Sequence, residues 1–134
     1  MIKHTKLALA FTCALIGSPA LAETYLCEFT RGGSKGWIPT KILVNIDAEA
    51  GTAGVMDGLT LSKQEGLFPA KISANTKKRY TISWSVKRLK SNTGQNVNAD
   101  FRLSLQKTSL IANVSMLPQG YDNKFSTRGP CKPQ

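Results

Sequence analysis

The sequence predicts an all-β domain: a small antiparallel up-and-down barrel of seven or eight strands, its first and last strands tied by a disulfide. Three observations predict it. Apolar residues recur at every second position in short runs bounded by turn residues, with no long 3.6-residue period among them. Connections of hairpin length join most of these runs, which makes neighbours antiparallel. Two cysteines, Cys27 and Cys131, lie near the two ends of the chain that follows the leader.

The leader is residues 1–22, MIKHTKLALAFTCALIGSPALA. Lys3 and Lys6 form a positive start, Leu7 to Gly17 an apolar stretch, and Ala20-Leu21-Ala22 a small-x-small cleavage site. That pattern marks a cleaved export signal. The apolar stretch is shorter than the ~20 residues needed to cross a membrane as a helix, so a retained anchor is the weaker alternative. Cys13 sits inside the apolar stretch, and the Ala10-Phe11-Thr12 before it does not make a lipoprotein box. The expected mature chain is one domain over 23–134, exported to the periplasm or the exterior, with no transmembrane segment after cleavage. Removing Lys3 and Lys6 from 18 basic residues leaves 16 against 8 acidic ones, a net charge of +8 on 112 residues.

The strands follow in order. Tyr25, Cys27 and Phe29 alternate with Leu26 and Glu28, and Ile42, Val44 and Ile46 alternate with Leu43, Asn45 and Asp47. A Glu49-Ala50-Gly51 turn leads into Thr52 to Met56, and Ala70 to Asn75 is the next run. Tyr80, Ile82, Trp84 and Val86 share one parity, as do Phe101, Leu103 and Leu105, then Leu110, Ala112, Val114 and Met116. Lys124 to Cys131 closes the chain. In an exported chain, two cysteines read as a disulfide, and its geometry requires the chain ends to meet. A closed meander meets that demand; a two-sheet sandwich with adjacent terminal strands is the alternative.

Two connections are longer. Gly58 to Pro69 carries Leu59, Leu61, Leu67 and Phe68, and is expected to tuck leucines into the edge of the core. A short helix or lid over the barrel mouth is the other reading of it. Ser91 to Asn98 is polar and uncharged, as an exposed hairpin loop is.

The absent residues exclude most chemistry. The only histidine, His4, leaves with the leader, so the mature chain can build neither a Ser-His-Asp triad nor a Cys-His pair. Zinc sites of the His and Cys kinds fail for the same reason. No nucleotide-binding or calcium-loop motif occurs, and GGSKG at 32–36 runs into Trp37-Ile38-Pro39 rather than a helix. Carboxylate pairs remain conceivable among Glu28, Asp47, Glu49, Asp57, Glu65, Asp100 and Asp122, but their spacing favours none. The expectation is therefore a protein that is not an enzyme and carries no cofactor or metal.

The basic residues supply the candidate site. Lys77, Lys78 and Arg79 precede the Tyr80–Val86 run, and Lys87, Arg88 and Lys90 follow it. At ~3.4 Å per residue the two clusters stand roughly 27 Å apart, at opposite ends of the barrel. Tyr80 and Trp84 have the parity of the core, so the run is not a base-stacking platform, and nucleic acid is disfavoured. Charged ends also guard a hydrophobic strand against aggregation. The net positive charge nevertheless points to an anionic partner.

The Tyr25-x-Cys27 start, the run of short antiparallel strands and the late Cys131 resemble the layout of the small periplasmic inhibitors of C-type lysozymes. That resemblance implies an exported eight-stranded barrel. The family's serine-and-lysine inhibitory loop is not recognisable here, so no functional residue is carried over. The expected function is a non-enzymatic binding module for an anionic envelope component: a lipid headgroup, lipopolysaccharide or an acidic glycan. The alternative is an inhibitor or adaptor of an exported enzyme.

Overall fold

A computed structural model describes residues 22–30, 37–91 and 93–134. The leader apart from Ala22 lies outside the described residues, with His4 and Cys13, and so does the glycine-rich 32–36 stretch. Eight strands follow one another: β1 (Glu23–Glu28), β2 (Lys41–Asp47), β3 (Thr52–Met56), β4 (Phe68–Asn75), β5 (Arg79–Lys90), β6 (Asn96–Gln106), β7 (Ile111–Pro118) and β8 (Phe125–Pro133). A single turn of helix, α1 (Gly58–Leu61), interrupts the β3–β4 connection. Each strand pairs antiparallel with the next, and β8 returns to β1, so the sheet closes in chain order. The barrel, not the sandwich, is therefore the architecture.

An eight-stranded barrel has an interior just wide enough for side chains to fill. The inward set from β2 is Ile42, Val44 and Ile46, and from β5 it is Ile82, Trp84 and Val86. Phe101, Leu103 and Leu105 of β6 and Ala112, Val114 and Met116 of β7 complete the packing. Trp84 stacks on Phe101 across the β5–β6 pair, ring centroids 5.4 Å apart and planes within 5°. Each such large side chain contributes about 1.5–3 kcal/mol through burial. No helix among the described residues is long and apolar enough to cross a membrane.

The seam between β1 and β8 is short and crowded. Cys27 lies directly opposite Cys131, their sulfurs bonded and their Cα atoms 3.9 Å apart. The bridge spans 104 residues of sequence. Gly129 sits beside it, where an added Cβ would collide with the Glu28 carbonyl oxygen. Only glycine lets the strands approach this closely.

Strict alternation fails at one informative place. Continued past Val86, it would carry Arg88 into the core. Instead a bulge intervenes: Val86 opposes Ala99 and Leu89 opposes Val97, so Lys87 and Arg88 share one position across from Asn98. Arg88 takes a left-handed φ of 56° and its N–H donates to Asn98 Oδ1 at 3.0 Å. The bulge turns both cations outward and brings Leu89 inside.

The β3–β4 connection combines the two expectations for it. Asp57 caps α1, its Oδ1 accepting from the N–H groups of Leu59 (2.9 Å) and Thr60 (2.8 Å), while Thr60 Oγ1 accepts from the Asp57 N–H at 3.0 Å. Leu59 packs against the core, whereas Leu61 and Leu67 remain 49 % and 45 % exposed. Asp57 is itself buried, and its Oδ2 has no hydrogen-bond partner. Burial raises its carboxyl pKa, opposed by the N–H groups of Thr60 and Leu59 and by the Thr60 hydroxyl.

Candidate anion-binding wall

The two basic clusters stand at opposite ends of β5, every member exposed. Each acquires a further cation from elsewhere in the chain. Beside Lys77, Lys78 and Arg79, the Lys107 N–H donates to the Lys78 carbonyl at 2.8 Å. The Lys107 Nζ donates to Asn75 Oδ1 at 2.7 Å and lies 4.1 Å from the centre of the Tyr80 ring. At the other end, Lys63 Nζ donates to the Arg88 carbonyl at 2.8 Å, beside Lys87 and Lys90.

The middle of β5 supplies what the ends lack. On the outer wall Lys71 of β4 opposes Ser83 of β5, and Ser83 opposes Arg102 of β6. The same row continues through Ser115 of β7 to Ser126 of β8. With strands about 4.8 Å apart, the Lys71 and Arg102 backbones flank Ser83 at a separation of about 10 Å. The row crosses an open concavity of about 670 Å³, whose lining includes Lys71, Ser83, Ser85, Arg102, Ser115 and Lys124. Lys71 and Arg102 therefore place two cations beside the middle of β5, between the two basic clusters at its ends.

Hydroxyl groups accompany the cations. Ser73 and Ser83 share a hydrogen bond of 2.6 Å, with Ser73 placed at a bulge in β4. Asp100, the acidic residue in the concavity, has Oδ1 occupied by the Ser85 hydroxyl at 2.6 Å and the Gln119 amide at 3.0 Å. Thr81 has the outward parity yet is fully buried. Its short side chain sits between neighbouring strands and shares a 3.3 Å hydrogen bond with Ser104, so the wall is closed there. Lysine, arginine and serine at this spacing offer charge and directed donors to phosphate, sulfate or carboxylate oxygens.

Lys71 and Arg102 are not singled out by the sequence. Parity places each outside, next to Ala70 and Ile72 in one run and to Phe101 and Leu103 in the other. What sets them on either side of Ser83 is strand register, which no single run records. Three of the carboxylates take up separate structural positions: Asp57 caps α1, Asp47 accepts from the Ala50 N–H at 3.0 Å, and Asp100 braces the wall. Among the described residues no group of three or more His, Cys, Asp or Glu side chains is placed to hold a metal ion.

No protein-family model, no curated protein and no solved structure matches the chain.

Proposed function

We propose that this protein is an exported, non-enzymatic binding module that engages an anionic component of the cell envelope on the outer wall of β4–β7. The observation that carries the reading is the register that sets Lys71 and Arg102 astride Ser83, in a serine-rich concavity between two basic barrel ends. A net charge of +8 after loss of the leader draws anions from a distance, and the wall gives them somewhere to be held. The disulfide fits an oxidising compartment, in agreement with export.

The test is binding of the mature chain to vesicles with and without anionic lipid, and to lipopolysaccharide, at low and high salt. Binding should follow negative charge and fade as the Debye length shrinks from ~30 Å at 0.01 M to ~8 Å at 0.15 M salt. Lys71→Glu with Arg102→Glu should weaken it at least about tenfold, since each cation near such a surface contributes about 1 kcal/mol. Lys41→Glu with Lys132→Glu changes net charge equally on the β1, β2 and β8 side, and should weaken it less. Equal losses from the two pairs would reduce the wall to a share of the overall charge. Equal affinity for neutral and anionic vesicles, with no binding to lipopolysaccharide or an acidic glycan, would refute the proposal.

A second reading, an inhibitor or adaptor of an exported enzyme, is supported by Leu61, Leu67, Leu117 and Tyr121, each between 44 % and 52 % exposed. Recovery of one stoichiometric, salt-insensitive protein partner would favour it.

A further inference from the structure

We infer that the cleft beside the wall is a subsite for one sugar ring, so that the anionic ligand is an acidic glycan resting a ring on Trp37 and Tyr121. The inference depends on the proposed function for the ligand's charge, and on separate residues for its ring. The cleft, about 230 Å³, lies at the barrel end where the connections β1–β2, β5–β6 and β7–β8 meet. That is below the roughly 300–1,000 Å³ of pockets for drug-sized ligands, which suits a single ring.

Its lining has two chemistries. Trp37 and Phe125 stack with ring centroids 6.3 Å apart, and both pack against the barrel core, which fixes their position. Tyr121, 52 % exposed, donates its hydroxyl to Gln95 Oε1 at 3.3 Å, tying the β7–β8 connection to the β5–β6 connection. The Gln95 and Asn123 amides on the same lining supply donors as well as acceptors. A pyranose ring presents C–H groups on its faces and hydroxyls around its edge. Aromatic faces take the first and side-chain amides the second. An acyclic headgroup such as phosphatidylglycerol has no such face and would use the charges alone.

The cleft also continues the wall. Lys124 lines the concavity, while its chain neighbours Asn123 and Phe125 line the cleft. A saccharide with a ring in the cleft would therefore carry its next acidic group towards Lys124 and Arg102.

The experiment titrates the mature chain with a uronic-acid tetrasaccharide, a neutral glucose tetrasaccharide and phosphatidylglycerol vesicles. Calorimetry gives affinity, and tryptophan emission locates the contact, because Trp84 is only 4 % exposed inside the barrel while Trp37 borders the cleft. The acidic tetrasaccharide should bind best and shift the emission. Trp37→Ala and Tyr121→Ala should each weaken saccharide binding by roughly tenfold and leave vesicle binding unchanged. Tyr121 can be truncated without opening the core, so the test survives any loss of folding in the Trp37 variant. Vesicle binding without saccharide binding would overturn the inference alone. So would saccharide affinity indifferent to Tyr121→Ala in a folded variant. Failure to bind either anion would overturn the proposed function with it.

Discussion

Gly129→Ala isolates the geometry of barrel closure. The new Cβ would collide with the Glu28 carbonyl oxygen and stand 3.1 Å from its carbon and 3.0 Å from a ring carbon of Phe29. A side-chain neighbour could rotate away, but two of these three atoms are backbone. Relief therefore requires β1 and β8 to separate by more than about 1 Å, since ordinary carbon contacts lie at about 3.5–4.0 Å. That movement is opposed two residues away on β8, where Cys131 is bonded to Cys27, and on the other side by the pairing of Gly129 with Ala112 of β7. Overpacking costs about 1–3 kcal/mol, and a clash with backbone belongs at the upper end or beyond. With a urea slope of about 1–3 kcal/mol/M, a cost of about 3 kcal/mol should lower the unfolding midpoint by about 1–3 M under non-reducing conditions. Gly58→Ala is the control: its added Cβ meets nothing within 4 Å, and it should be neutral or stabilise by up to about 1 kcal/mol. A Gly129→Ala midpoint within about 0.3 M of the unaltered protein would show that the seam is not closed as tightly as described.

Two further outcomes follow from the same structure. Replacing both Cys27 and Cys131 by serine should cost up to about 4.7 kcal/mol, the chain-entropy value for a loop of this length, with strong reductant shifting the unaltered protein the same way. Non-reducing peptide mapping should recover the two cysteines joined. Asp57 makes a prediction in pH. Its folded pKa is raised mainly by burial, so its contribution favours folding most below the unfolded pKa and is lost as pH rises through the folded one. Asp57→Asn keeps a capping acceptor but does not ionise, so urea midpoints of variant and parent should diverge in the variant's favour as pH rises from about 3 to 7. A constant difference across that range would contradict the burial of the carboxylate.

The sequence alone determined the class of fold, because period-2 patterning is local. Each run carries its own record of which side chains face inward, from Ile42-Val44-Ile46 to Ala112-Val114-Met116. The cysteines near both ends added the one long-range constraint and favoured closure. Local patterning ran out where a residue's position depends on a partner strand. It could not place the bulge that turns Arg88 outward, since that follows from the pairing of β5 with β6 around Asn98. Nor could it foresee that Thr81, outward by parity, would be covered by its neighbours. The candidate site shows the same division. The basic residues at the two ends of β5 are contiguous with it in sequence and were legible there. Lys71 and Arg102 are 31 residues apart in the chain, and only register sets them on either side of Ser83. Trp37, Gln95 and Tyr121 likewise come from three connections that meet only once the barrel has closed. Alternation is a property of one strand, whereas a surface site is a property of several strands held in a fixed register, and tertiary structure alone decides that register.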